Sequence, residues 1–597
     1  MKTGVIKQPC AAVMRRRHFL GAVAAACVAR GRAAWGVGTS RVRPHMPGWP
    51  SPAEWAALRS KLGGRLAPVT IPKLARAAAD RLLTDPFYLS DQPGLTQVSG
   101  WVDAWQSSPS AYVVQAASAA DVAAAVRFAA AHRLRLVVKG GGHSYLGGSN
   151  APDSLLVWTK AMDAITLHDG FVPQGTGAAP VPAVSVGAGC LWLHAYDAVT
   201  TRAGRYVQGG GCTSVGVAGL VQGGGFGSCS KQFGLAAASL LEAEIVTADG
   251  ATRVVNAARE PDLFWALKGG GGGTFGVVTR LTLRTHDLPH MFGAVSWTIQ
   301  AQSDAAYHAL LARFIAFYAD RLFNRHWGEQ ARARPDNRLV ISMVFQGLDE
   351  AAAQAVWQDF VDFVRARPQD YSNHEPLRIL AFPARYMWDE AALSKFAPDA
   401  ISVDPQPGAK PRDYWWKGDG EQAGAIWYGY DSAWMPATLL RQDQQARLVD
   451  AWFAGSRHWG VAFHFNKGLA GAADAAIGAS RDTAMNPDVL GAFALVIIAG
   501  DGPPAFAGQP APDMQEARAE AAGIQAAMNA MRAVAPGTGS YLSECDYFTP
   551  GWQQASWGTH WARLQAVKRQ YDPDGLFVVH HGVGSEVWSA DGFTRLA

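Results

Sequence analysis

Two glycine-rich segments constrain this chain more than any other feature. VVKGGGHSYLGGSN, residues 137–150, carries one nucleophilic side chain, His143, and GGGCTSVGVAGLVQGGGFG, residues 209–227, carries another, Cys212. Glycine takes positive φ and lets the backbone come close to a ligand, so the N–H groups of such loops can converge on phosphate oxygens. An imidazole or a thiol set in a cradle of this kind faces the ligand and not a hydrophobic core. The pair suits a cofactor held by phosphates at one end and by covalent bonds at a ring, as a flavin would be.

The pattern around the loops supports a nucleotide site. Tyr112-Val-Val-Gln-Ala reads as a strand, Ser118-Ala-Ala-Asp121 as the cap of a helix with Val122, Val126, Ala129 and Ala130 on its apolar face, and Leu134–Val138 as a second strand. The His143 loop follows directly, at a strand's carboxyl end, where phosphate loops sit. The G-x-G-x-x-G fingerprint is absent in that context, which disfavours a nicotinamide-binding Rossmann domain. Val181–Ala188 is predicted as a strand and Leu191–Arg202 as a helix. Leu240–Ala248, Asp249-Gly250 and Ala251–Val255 form a predicted hairpin. Pro261–Leu267 reads as a short helix, and Gly269–Gly273 lead into another strand at Thr274–Thr279. From residue 288 the pattern changes to long helices at Asp304–Arg321, Asp349–Arg367 and Pro512–Ala533 between strand-like runs, as in a sheet covered by helices. Trp557–Gln570 reads as a closing helix stopped by Tyr571-Asp-Pro-Asp-Gly575.

GGGHSY resembles the signature of vanillyl-alcohol-oxidase-type FAD-binding domains, whose histidine bonds the flavin 8α carbon. CTSVG, starting at Cys212, resembles the second attachment loop of the berberine-bridge-enzyme-like branch, whose cysteine bonds flavin C6. YLSECDYFTPGWQQASWGTHWARLQAVKRQYDPDGLFVVHHGVGSEVW, residues 541–588, resembles that branch's closing segment. The resemblance implies an α+β protein with a two-subdomain FAD-binding lobe of the vanillyl-alcohol-oxidase type and an α+β substrate lobe. It places the FAD-binding domain at 106–287, the substrate domain at 288–540 and the returning segment at 541–590, after a signal at 1–34 and a linker and extension at 35–105. It implies bicovalent FAD through His143 and Cys212. The expected cofactor-binding set is completed by Lys139, Gly140, Gly141, Gly142, Ser144, Tyr145, Gly211, Val215, Gly216, Gly223, Gly224, Gly225, Gly227, Gly276, Val277 and Val278.

The implied reaction is removal of a hydride from a C–H beside oxygen or nitrogen while a base takes the O–H or N–H proton. The substrate is expected to be a small molecule: an alcohol, a sugar, or a hydroxylated or nitrogen-bearing ring. Tyr541 matches the tyrosine that opens the family's closing motif and is the candidate base. An unperturbed phenol would need a neighbouring cation or base to act at neutral pH. Ser543 stands where the family commonly has Asn. Val215, three residues after Cys212, is a small residue where a bulkier one tends to block oxygen, which favours molecular oxygen as acceptor. A dehydrogenase passing electrons to a quinone or cytochrome is the alternative, and a secreted carbohydrate-binding protein without catalysis is a second.

Composition bounds the remainder. A chain of 597 residues exceeds one compact core. Net charge of +4, without a basic run beyond the N-terminus, gives no case for nucleic acid. The 22 tryptophans include several in polar company, at DYWWKGD (413–419) and WYGYDSAW (427–434), where some should line a substrate cleft. Arg15-Arg-Arg-His-Phe-Leu20, followed by a short apolar run, resembles a twin-arginine export signal. It implies passage through the twin-arginine translocase to a periplasmic or secreted location; the run is too short for a comfortable membrane anchor. Met14 is an alternative start. Six cysteines do not make a disulfide framework, although one bridge among Cys190, Cys212, Cys229 and Cys545 stays open. No metal-ligand spacing occurs, so no metal is expected.

Overall fold

The computed structural model describes residues 40–596. The segment read as an export signal, with Cys10 and Cys27, lies outside the described residues.

Three sheets position the site. A four-stranded sheet runs Leu66–Pro68, Tyr112–Gln115, Ser154–Trp158, Arg135–Lys139, the last three parallel. Helix Ala119–Ala131 covers it, started by Ser118, whose hydroxyl accepts from Asp121 N. Val122, Val126 and Ala129 are fully buried against the sheet, the apolar stripe the spacing predicts. A five-stranded antiparallel sheet runs Thr252–Asn256, Leu240–Val246, Val277–Arg284, Val181–Gly187, Ile165–Phe171. Its hairpin closes at Asp249-Gly250: Gly250 takes φ +73°, and the Asp249 carboxylate accepts from Ala251 N and Thr247 Oγ1.

The substrate lobe is built on a nine-stranded sheet, ordered Tyr371–Pro383, Met291–Ala301, Arg338–Gln346, Trp327–Ala333, Val461–His464, Ala492–Gly502, Gly424–Pro436, Val98–Trp101, Trp105–Gln106. Helices Asp304–Phe317, Glu350–Arg365, Gln445–Ser456 and Met514–Val534 bury one face in the largest core. Glu350–Arg365 shows why. Asp349 caps it, and Ala353, Trp357, Phe360, Val361 and Val364 recur at helical spacing on one buried stripe. Strand alternation then sends the other side chains to the opposite face. Val461 and Phe463 enter the helix-covered core, while His464 points away from it. That second face looks toward the flavin-type lobe.

Several elements depart from the sequence expectations. Within the expected linker and extension, the described residues from 40 onward carry regular elements: Ser51 opens helix Pro52–Lys61 with a capping box, and Val98–Trp101 joins the nine-stranded sheet parallel to Gly424–Pro436. The buried Arg41 donates to the carbonyls of Leu134, Gly575 and Leu576, which fixes the entry of the chain. The expected helix 191–202 is α-helical only at Trp192–Tyr196 and widens to a π-helix over Asp197–Arg202. The closing helix breaks at Gly558, φ +51°, into Trp552–Trp557 and Trp561–Tyr571. The four cysteines left open for a bridge are all free thiols.

Candidate active site

The two glycine loops abut. A Cβ on Gly141 would stand 2.8 Å from both Gly216 N and Ser214 O, so only glycine lets the His143 loop lie against the Cys212 loop. The contact brings the two nucleophiles into one place. His143 Nε2 is 3.0 Å from the hydroxyl of Ser214, two residues past Cys212. Burial lowers the His143 pKa to about 3, which keeps its ring neutral; in the tautomer whose Nε2–H donates to Ser214 Oγ, the Nδ1 lone pair is available. The Cys212 sulfur donates to Asp419 Oδ1 at 3.2 Å. Burial, then the Asp419 charge, pushes the thiol well above its usual range.

The first loop keeps donors for a ligand. Gly141 and Gly142 are buried, and the N–H groups of Gly141, Gly142, His143 and Ser144 meet no protein acceptor among the described residues. Gly142 takes φ +83°, the left-handed turn the cradle needs. Ser144 spends its hydroxyl on Gly148 N. Thr213 Oγ1, Thr274 Oγ1, both amide atoms of Asn150 and Asp419 Oδ2 are buried polar atoms without a hydrogen-bond partner. Free backbone donors, orphaned polar atoms on the same loops and a close approach only glycine permits fit a nucleotide cofactor.

Other expected contacts fall elsewhere. The Lys139 ammonium donates to Gln92 O and Leu95 O; burial brings its pKa down to about 7. It anchors residues 92–95 while lying against the cradle, where a Cβ on Gly142 would meet Lys139 Cε at 3.0 Å and Nζ at 3.8 Å. The backbone of Gly223–Gly227 was expected on the phosphates. Instead Gly223 N donates to Gly219 O, Gly224 N to Val221 O, Gly225 N to the Tyr541 hydroxyl and Gly227 N to Ser230 Oγ. These glycines end helix Val217–Gln222 and press on Met485, Leu220 and Gly209, so their role is close packing. Val277 and Val278 are buried on opposite sides of their strand, in separate cores, and can meet a cofactor only through backbone; Gly276 before them lies against Val246 O. Gly211 is exposed, and its carbonyl accepts from Trp416 Nε1 at 3.1 Å. Gly140 lies beside Ala188 O, and Val215 is half-buried against the core under the Cys212 loop.

Across from the loops stands the free face of the substrate sheet. Tyr145, two residues after His143, packs on Trp427 and Tyr430 at ring separations of 4.9 and 5.2 Å, and those two rings are 4.9 Å apart. Lys467 and Glu544 pair at 2.6 Å, and both act on the Cys212 thiol. Glu329 sits in a strand at φ +64°, a strained conformation for this residue. Its carboxylate accepts from Ser228 Oγ, just past the Cys212 loop, and from Asn466 Nδ2.

Tyr541 is present but poorly suited to act as a base. Its ring is buried edge-on against Phe226 at 5.1 Å, and its oxygen accepts from Gly225 N at 3.3 Å. Burial and then the Glu544 charge raise its pKa above that of a free phenol, so it stays protonated at neutral pH. The two tryptophan-rich stretches deliver what individual residues concealed: Asp419 closes DYWWKGD, and Trp427 and Tyr430 lie in WYGYDSAW. Ser214, Glu329, Lys467 and Glu544 are not singled out by the sequence, because their partners come from distant positions: His143 for Ser214, Ser228 for Glu329, and each other for Lys467 and Glu544.

Fold and site together define an FAD-linked oxidoreductase with a flavin lobe and a substrate sheet facing each other. Residues 109–256 match the FAD binding domain family, and residues 540–584 match the family described as berberine and berberine like. The FAD-linked oxidoreductase easE of Arthroderma otae is 30% identical over 598 residues, covering 93% of this chain and 91% of that protein. The VAO-type flavoprotein oxidase VAO615 of Thermothelomyces thermophilus is 29% identical over 93% of this chain and 95% of its own. The crystal structure of the VAO-type flavoprotein MtVAO615 from Myceliophthora thermophila C1 superposes with a TM-score of 0.75 at 25% identity, over 93% of this chain and 100% of that one. The chain belongs to the vanillyl-alcohol-oxidase-type, berberine-bridge-enzyme-like flavoprotein family. Membership of a family of FAD-linked oxidoreductases sets aside the non-catalytic carbohydrate-binding alternative.

Proposed function

We propose that this protein is an exported oxidase whose FAD is bonded to His143 through Nδ1 and to Cys212 through Sγ. One observation carries the reading: His143 is hydrogen-bonded to Ser214, two residues from Cys212, where two abutting loops leave backbone donors free. A fold neighbour at 17% identity, the glucooligosaccharide oxidase from Acremonium strictum, is described as carrying a 6-S-cysteinyl, 8α-N1-histidyl FAD. That likeness is one of fold, and the attachment here rests on this chain's own geometry.

When bound, FAD accepts a hydride from the substrate carbon. The chain's residues bind and orient. Tyr145, half-buried and backed by the buried Trp427 and Tyr430, offers an aromatic face to a hydroxylated ring or sugar. Tyr541, holding its proton, supplies a hydrogen bond to a substrate oxygen. Val215, three residues after Cys212, is small, and its size favours molecular oxygen over a quinone or cytochrome as acceptor. Export through the twin-arginine translocase follows from residues 15–20 and suits a protein that folds around its cofactor before crossing.

The test is flavin retention after acid precipitation. Single His143→Ala and Cys212→Ala variants keep a tethered flavin, and the double variant releases it. Flavin that stays bound to the double variant would defeat the reading. For the acceptor, stopped-flow reoxidation should slow strongly in Val215→Leu while reduction by substrate changes little; an unchanged rate overturns the oxygen assignment. Deletion of residues 1–34 should strand flavin-loaded protein in the cytoplasm, and undiminished export refutes the signal.

A further inference from the structure

We infer that Asp419 is the base that takes the Cys212 thiol proton when the sulfur bonds the flavin. The inference rests on the two-point attachment proposed above.

A thiol is a weak nucleophile until it ionises. Here burial holds the Cys212 proton in place, so attack needs an acceptor already in contact. Asp419 Oδ1 is that contact, 3.2 Å from Sγ as the thiol's hydrogen-bond acceptor. The neighbouring groups are committed elsewhere. Glu544 is paired with Lys467, Glu329 is bonded to Ser228 and Asn466, and His143 is held by Ser214. Asp419 has no ion-pair partner among the described residues, and its Oδ2 is buried without a hydrogen bond. A carboxylate relieved of any cation binds a proton more readily, and burial raises the pKa of this one to about 6. The chain also fixes its position. Asp419 lies on the turn Lys417–Gln422, and Trp416 just before it clamps Gly211, the residue before Cys212. The carboxylate therefore arrives in register with the sulfur.

The step balances with dioxygen as oxidant. The S–H proton passes to Asp419 and the S–C6 bond forms. The C6–H bond breaks, its proton leaves to water, and its electron pair passes through the ring system to dioxygen, giving hydrogen peroxide. Thiol, ring C–H and dioxygen become thioether and peroxide.

The experiment follows the Cys212 and His143 peptides of freshly expressed enzyme by mass spectrometry over time. In wild type both peptides acquire flavin mass. Asp419→Asn keeps an oxygen to accept the thiol hydrogen but cannot take the proton. It should slow the Cys212 link by about a hundredfold near neutral pH, while the His143 link forms as in wild type. Raising the pH should then restore the Cys212 link by about tenfold per unit, as the thiolate forms unaided. A Cys212 link at the wild-type rate in Asp419→Asn, or one that stays absent at high pH beside a flavin-bearing His143, overturns the inference. An unlinked Cys212 in wild type would instead defeat the two-point attachment itself. If Asp419→Asn binds no flavin, Asp419→Glu decides: a Cys212 link near the wild-type rate supports the inference, and an unlinked Cys212 beside a linked His143 overturns it.

Discussion

At the scale of single residues, the site turns on which protons are held and which are free. Burial keeps His143 neutral, Cys212 a thiol and Tyr541 a phenol. Two expectations follow. Tyr541→Phe removes a hydrogen bond and no base, so kcat should fall by about tenfold or less, well short of what loss of a general base costs. A steady-state pH profile should keep its shape; a loss beyond a thousandfold with a flattened basic limb would restore Tyr541 as the base. Ser214→Ala frees His143 Nε2 and with it the choice of tautomer. The His143-linked flavin should then form more slowly, read as the fraction of acid-stable flavin in a Cys212→Ala background. An unchanged fraction would show that Ser214 does not orient the imidazole.

At the scale of elements, the two loops act as one piece because glycine lets their backbones touch. The structure distinguishes glycines that need to be glycine from those that merely are. A Cβ on Gly141 meets Gly216 N and Ser214 O, both backbone atoms that cannot swing aside. Gly141→Ala should push the loops apart at a cost of about 1–3 kcal/mol and lower flavin content. Gly211 has open space around its missing Cβ, so Gly211→Ala should fold with normal flavin content and a melting temperature close to wild type. Equal behaviour of the two variants in flavin absorbance and thermal melting would refute the distinction. Composition marks both positions alike, as members of glycine runs; only the approach of another chain segment separates them.

At the scale of the molecule, buried lysines tie the lobes together. Lys231, three residues after Ser228, donates to Ala470 O and Phe493 O of the substrate lobe at 2.5 and 3.0 Å. Burial lowers its pKa to about 7. Unfolded, the same group titrates near its ordinary value of about 10.4, so above neutral pH the unfolded chain binds the extra proton. Stability from this group therefore rises as pH climbs from about 7 toward 10, and the cost of keeping it charged is felt below that window. Lys231→Met orphans two carbonyls and should cost about 2–4 kcal/mol near neutral pH. It should also shrink the gain in denaturation midpoint between pH 7 and about pH 9. A variant whose midpoint rises with pH as steeply as wild type would remove the titration from the account.

The sequence by itself determined the class of site. Glycine runs, a histidine and a cysteine are local signals, and local chemistry explains them: positive φ, free N–H groups and a nucleophile in each loop. It also determined the elements that local rules govern, such as the Ser118-capped helix, the Asp249-Gly250 hairpin and the amphipathic helix Glu350–Arg365. Tertiary structure alone decided which groups meet. Lys139 lies against Gly142 of the cradle yet gives its ammonium to the carbonyls of Gln92 and Leu95, 47 and 44 positions away along the chain. The N–H groups of Gly223, Gly224, Gly225 and Gly227 are taken by helix-end carbonyls, Tyr541 and Ser230, which a glycine count cannot reveal. Asp419 reaches Cys212 from 207 residues away. A carboxylate's basicity depends on burial and on what shares its space, and that is fixed only when the substrate sheet closes over the two loops.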